Sequence, residues 1–159
     1  MNKLDLSKEE AIGLYAIASP EIKKKLEDSF GKNVLLNLPQ DITERVKTYE
    51  DALKITNRVD IDFSFAPEDL REYLKNQYMA IVVCEALNEG EKLNWMDANQ
   101  KKWRPWFSVV SGAFVFDLSS YRYSGADACD AARLCLKNNK LSNYAGAQFT
   151  DIFANVLTK

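Results

Sequence analysis

The apolar positions along this chain fall into two spacings, one helical and one strand-like. Ser7 followed three residues later by Glu10 predicts a capping box. Ile12, Leu14-Tyr15 and Ile17-Ala18 then supply the apolar side of a first helix. Ser19-Pro20 opens a second helix, with proline at its first position, where a missing N–H costs nothing. Ile22, Leu26 and Phe30 line one stripe of it, and Gly31 is a natural stop. Val34 to Leu38 is a short apolar piece ended by Pro39. Asp41 is placed to cap a turn through Val46, and Thr48 a helix from Tyr49 to about Ile55.

In residues 57–66, Val59, Ile61, Phe63 and Phe65 alternate with Asp60, Asp62 and Ser64. This predicts a strand or an extended segment lying over the core. Pro67 starts the next helix, with Glu68 and Asp69 in the first turn, where the helix dipole favours negative charge. From Tyr78 to Leu87 almost every side is apolar, which predicts a long, deeply buried central helix; a strand over Ala80–Cys84 is the competing reading. Trp103–Val110 and Ala113–Leu118 flank Ser111-Gly112 and read as a hairpin. That turn sets Val109 opposite Phe114 and Phe107 opposite Phe116 on one face, with Trp106, Ser108 and Val115 on the other. Ala132–Leu136 is the expected third strand. Asn138 or Asn139 caps a last helix to about Leu157, whose stripe is Leu141, Tyr144-Ala145, Phe149, Ile152-Phe153 and Val156. Ala145-Gly146-Ala147 permits close approach to a neighbour. The fold expected is α+β: N-terminal helices, a long central helix, a three-stranded antiparallel meander and a closing C-terminal helix. Its division is a helical part over 1–57 and an α+β core over 58–159.

Composition narrows the chemistry. The 159 residues are 47% hydrophobic and 28% charged, an ordinary globular balance. Net charge is −2, whereas a dedicated duplex-DNA binder carries a basic excess. Histidine is absent, which removes Ser-His-Asp and Cys-His catalysis and imidazole metal sites. Cys84, Cys129 and Cys135 are too few for a disulfide framework. The first residues lack the apolar run of a signal peptide, and the longest apolar run, Met79–Cys84, is too short to span a bilayer. The expectation is a cytoplasmic protein with reduced thiols, no cofactor, no metal and no membrane contact.

Three pieces carry a resemblance: Asn88-Glu89-Gly90, Trp103-Arg104-Pro105-Trp106-Phe107 and Gly112-Ala113-Phe114-Val115-Phe116. Two more follow in order, Arg133-Leu134-Cys135-Leu136-Lys137 and Leu141 with Tyr144-Ala145-Gly146-Ala147-Gln148-Phe149. Together they resemble a family of hypothetical proteins from Bacteroides-type gut bacteria and their phages or mobile elements. The segment from Phe30-Gly31 to Ala52 is similar to the amino-terminal part of such proteins. The chain departs from the family pattern at Leu136, where phenylalanine is typical, and at Ala131-Ala132, where Gly-Ser is. The resemblance implies a phage or prophage context and brings no catalytic residues with it.

The densest chemistry lies between residues 92 and 123. Trp95, Trp103, Trp106, Phe107, Phe114, Phe116, Tyr121 and Tyr123 are interleaved with Lys92, Lys101, Lys102, Arg104 and Arg122. Aromatic faces beside cations grip single-stranded nucleic acid, at roughly 1–3 kcal/mol per stacked base. The same rings also suit a core between hairpin and helix, and that is the favoured reading. The candidate binding residues are Lys101, Lys102, Trp103, Arg104, Trp106, Tyr121, Arg122 and Tyr123. Asp127 and Asp130, with Asp117, are candidates for a cation or for acid–base work, although their spacing matches no calcium loop. Arg133 and Lys137 flank Cys135 and are candidates to activate its thiol. Lys23-Lys24-Lys25 reads as a solvated face. The function expected is a non-catalytic protein-binding or assembly module, a protein partner being favoured over nucleic acid by the charge. The alternatives are single-stranded nucleic-acid binding through the aromatic–basic hairpin and, third, a carboxylate-based enzyme.

Overall fold

The first helix begins where its capping box places it. In the computed structural model, which describes residues 6–125 and 132–158, Ser7 Oγ accepts from the Glu10 N–H at 3.2 Å and Glu10 Oε2 accepts from the Ser7 N–H at 2.8 Å. Helix α1 then covers Lys8–Ile17. Helix α2, Pro20–Phe30, ends at Gly31, whose φ of 80° is open only to a residue without Cβ strain. Two single-turn helices follow, α3 over Lys32–Leu35 and α4 over Ile42–Arg45. Asp41 Oδ1 accepts from the Thr43 N–H, as a residue opening that turn should. Ala11, Leu26 and Leu35 form the core of this part, with Leu14, Tyr15 and Phe30 packed against them.

The contacts divide the chain into Met1–Arg45 and Val46–Lys159, earlier than the division read from the sequence after residue 57. Helix α5, Tyr49–Thr56, packs on helix α6, Glu68–Leu87, and so belongs to the second unit. Thr48 caps α5 through a full capping box with Asp51. The segment between the two helices is extended without being a strand. Tyr49 Oη donates to Asp60 Oδ1 at 2.9 Å, Tyr78 Oη donates to the Val59 carbonyl at 2.7 Å, and Phe63 lies against Tyr78. The central helix is buried as its apolar run requires, with Ala80, Val82, Val83, Cys84, Ala86 and Leu87 all inaccessible. The competing strand over Ala80–Cys84 does not form.

Strands β1, Lys102–Val110, and β2, Ala113–Arg122, form a two-stranded antiparallel hairpin. Ser111 and Gly112 turn it with φ of 52° and 79°, the paired positive values of a tight hairpin turn. Phe107 pairs with Phe116 and Val109 with Phe114, the register expected from that turn. A bulge follows: Trp106 pairs with Leu118, leaving Asp117 as the extra residue.

The expected third strand is not there. Ala132–Leu134 is a single 3₁₀ turn, and only Leu136 meets β1, in an isolated antiparallel bridge with Trp103. The bridge is complete, with N···O distances of 2.9 and 2.7 Å. Two groups keep it from growing into a ladder. The next paired position on β1 is Pro105, which has no N–H to donate. In the other direction, Asn138 is already the N-cap of the following helix. The outward-facing backbone is taken by Asn88, whose Nδ2 donates to the Cys135 carbonyl and whose Oδ1 accepts from the Lys137 N–H, both at 2.9 Å.

The closing helix is also corrected, into two helices. Helix α7 covers Asn139–Gln148 and helix α8 Thr150–Thr158. At Phe149 ψ is 30°, and the Thr150 hydroxyl, at 2.6 Å, donates to the Gly146 carbonyl. A side-chain donor at this point bends the helix. The buried stripe survives the bend: Leu141, Ala145, Phe149 and Phe153 are buried. Among the described residues, no helix is long and apolar enough to cross a membrane.

Candidate functional site

Strand alternation gives the hairpin two faces, and they have different neighbours. One face carries Pro105, Phe107, Phe114 and Phe116 towards α7 and α8. Phe107 stacks on Phe114 with centroids 4.9 Å apart, meets Phe116 edge-on at 6.1 Å, and touches Phe153 of α8 at 5.5 Å. Ser119 Oγ donates to Ser142 Oγ of α7 at 2.7 Å. These hairpin rings are half-buried against the two helices.

Beyond the end of that packed face, three further rings come together. Trp103 and Tyr121 are cross-strand partners with centroids 4.8 Å apart, and Tyr123 meets Tyr121 edge-on at 5.5 Å. Lys101 Nζ stands 4.4 Å from the Tyr121 centroid and 6.0 Å from that of Trp103. Tyr121 and Tyr123 are 41% and 45% exposed, while Trp103 is half-buried.

The second face carries Arg104, Trp106, Ser108 and Val110 from β1, opposite Ser120, Leu118, Val115 and Ala113 from β2. Here Trp106 is 48% exposed, Leu118 49% and Val110 56%. Arg104 lies over the Trp106 ring at 5.7 Å, and Ser108 Oγ donates to Asp117 Oδ2 at 2.9 Å. Cross-strand pairing makes Trp106 and Leu118 neighbours, so the apolar surface is continuous across both strands. The signal for this face was legible in the alternation of the two strands. The weight given to aromatic and basic residues left Val110 and Leu118 out of the candidate set.

The candidate residues thus do not form one site. Lys101, Trp103, Tyr121 and Tyr123 cluster at the open end of the hairpin. Arg104 and Trp106 lie on the other face, and Arg122, half-buried, shares their side by alternation. Lys102 is not surface at all: it is 1% exposed. Its ammonium donates to the Asp97 carbonyl at 2.8 Å and lies 5.5 Å from the Trp95 centroid. That arrangement ties the loop of residues 94–100 down onto the strand, so Lys102 holds structure rather than a ligand.

The thiols read differently from the flanking-cation expectation. Burial pushes the Cys135 thiol up, and the cations that pull against it are Arg104 and Lys102, not Arg133 or Lys137. Lys137 is spent on Glu89 and Glu91, at 3.1 and 3.7 Å. Cys84, wholly buried on α6, is pushed up further by the same cause. Asp127 and Asp130 lie outside the described residues. Among the described residues, no group of three or more cysteines and carboxylates is placed to hold a metal ion. No family model, curated protein or solved structure matches the chain.

Proposed function

We propose that this chain is a non-catalytic protein-binding or assembly module, and that it docks its partner on the uncovered face of the β1–β2 hairpin. One observation carries the reading: a two-stranded sheet has one face packed by α7 and α8 and leaves Trp106, Val110, Val115 and Leu118 exposed side by side on the other. Contiguous apolar surface marks a place where another surface is buried. Aliphatic side chains beside a tryptophan suit an apolar protein surface, because a phosphate backbone offers them nothing to bury against. The net charge of −2 favours the same kind of partner. The phage or mobile-element setting rests on the sequence resemblance alone.

The second reading, single-stranded nucleic acid, has its own observation in the Lys101–Trp103–Tyr121–Tyr123 cluster, where exposed rings stand beside a cation. One pair of variants separates the two. Trp106→Ser with Leu118→Ser alters only the apolar face; Lys101→Ala with Tyr121→Ala alters only the cluster. A protein captured by the wild type, purified and remixed, should bind at least about tenfold more weakly to the first variant and unchanged to the second. A random single-stranded oligonucleotide that binds at low salt, weakens steeply as salt rises and is lost in the second variant would replace this reading by the nucleic-acid one.

A further inference from the structure

A cavity of about 400 Å³ lies away from the hairpin faces, between the C-terminal half of α6, the segment after it and the approach to Leu136. Its volume is in the range of small-molecule sites. Ile81, Leu93 and Trp95 give it an apolar wall, and Arg58, Lys92 and Arg133 bring positive charge to it. The acidic groups at its rim are already occupied. Glu85 accepts from Arg58 Nε at 2.8 Å and from Arg58 Nη2 at 2.7 Å, and Glu91 is paired with Lys137. Lys92 and Arg133 form no ion pair among the described residues. The cavity therefore carries a positive excess.

A second observation is independent of charge. Trp95 Nε1 is buried and has no hydrogen-bond acceptor. A buried donor left without an acceptor in the chain is uncommon. Two cations outside any ion pair and an apolar wall in one cavity call for the same chemistry.

We infer that this cavity binds a small organic anion, with an apolar body against Ile81, Leu93 and Trp95 and a carboxylate or phosphate held by Lys92 and Arg133. The site is separate from the proposed docking face, so either reading stands without the other. Lys92 and Arg133 were each noted in the sequence for other reasons, and nothing there joined them to Arg58, because the three are far apart along the chain.

The test uses the full chain and three probes: benzoate, phenyl phosphate and the neutral isostere benzamide. The readout is the indole Nε1–H resonance of Trp95 in a ¹⁵N-labelled sample, assigned by its loss in Trp95→Phe. Benzoate or phenyl phosphate should shift that resonance saturably, and benzamide should not. Lys92→Ala with Arg133→Ala, both exposed positions that leave the fold alone, should weaken the shift at least about tenfold. Equal binding of benzamide overturns the proposal, as does undiminished anion binding by the double variant. Failure of both anions to move the resonance at concentrations that saturate a Kd of about 1 mM overturns it as well.

Discussion

Gly146 is the position where the packing of α7 on the hairpin can be tested most sharply. In an ordinary helix interior, alanine is favoured over glycine by about 1 kcal/mol, so Gly146→Ala would stabilise a bare helix. Here a Cβ would lie 2.2 and 2.5 Å from Phe116 Cδ2 and Cε2, and 2.9 Å from Pro105 Cβ. Carbon atoms rest at roughly 3.5–4.0 Å, so one side must retreat by more than about 1 Å. Phe116 has little room, because Phe107 meets it edge-on and is itself held between Phe114 and Phe153. Pro105 is a rigid ring in a strand. Overpacking of this kind costs about 1–3 kcal/mol, and two blocked neighbours put it at the upper end. After the helix-propensity gain, the net expectation is a loss of about 1–2 kcal/mol. Urea unfolding followed by tryptophan fluorescence reads it cleanly, since Trp95, Trp103 and Trp106 all lie in the Val46–Lys159 unit. Phe116→Ala alone should cost about 3 kcal/mol, the low end for a phenylalanine, because the ring is partly exposed. Combined with Gly146→Ala it should cost less than the two apart by at least about 1 kcal/mol, since the cavity receives the new methyl group. A Gly146→Ala protein more stable than wild type would refute the close approach of α7 to the hairpin.

Asn88→Ala removes the hydrogen bonds to the Cys135 carbonyl and from the Lys137 N–H, and should cost about 2–4 kcal/mol in the same unfolding assay; a loss below about 0.5 kcal/mol would show that this bridge carries no stability. The backbone N–H groups of Lys47 and then Thr48 hold the Asp51 carboxyl below its usual range. Its contribution is therefore fully present above the unfolded value near 4 and is lost as pH falls through the lower folded value, so Asp51→Asn should lower stability at neutrality and flatten the loss of stability below about pH 4, where wild type and variant converge. An unaltered acid profile in Asp51→Asn would count against the capping box at α5. Cys84, wholly buried with its thiol pushed up, should resist a thiol-specific reagent in native protein and react only at the rate of unfolding, read by mass spectrometry of the modified peptide; labelling of Cys84 faster than unfolding would contradict the burial of α6.

Local chemistry was enough wherever an element is decided by a few neighbouring residues. Ser7 with Glu10, Thr48, Pro67 and Asn138 mark helix starts because each satisfies or removes a backbone N–H within one turn. Ser111-Gly112 sets the strand register because only positive φ closes so short a turn, and period-two alternation then places Phe107 and Phe116 on one face. What only the tertiary structure decided depends on groups distant in sequence. Ala132–Leu136 has strand-like residues, yet Pro105 ends the one bridge it makes and Asn88, on another element, takes its outer backbone. Phe149 carries a continuous apolar stripe, which is blind to the Thr150 hydroxyl that bends the helix there. Lys102 reads as surface charge from its type alone; its burial under the Trp95 loop is a matter of which carbonyl and which ring fold over it. The cavity formed by Arg58, Lys92, Trp95 and Arg133 has no sequence spacing at all, because its walls come from segments brought together only when α6 is packed.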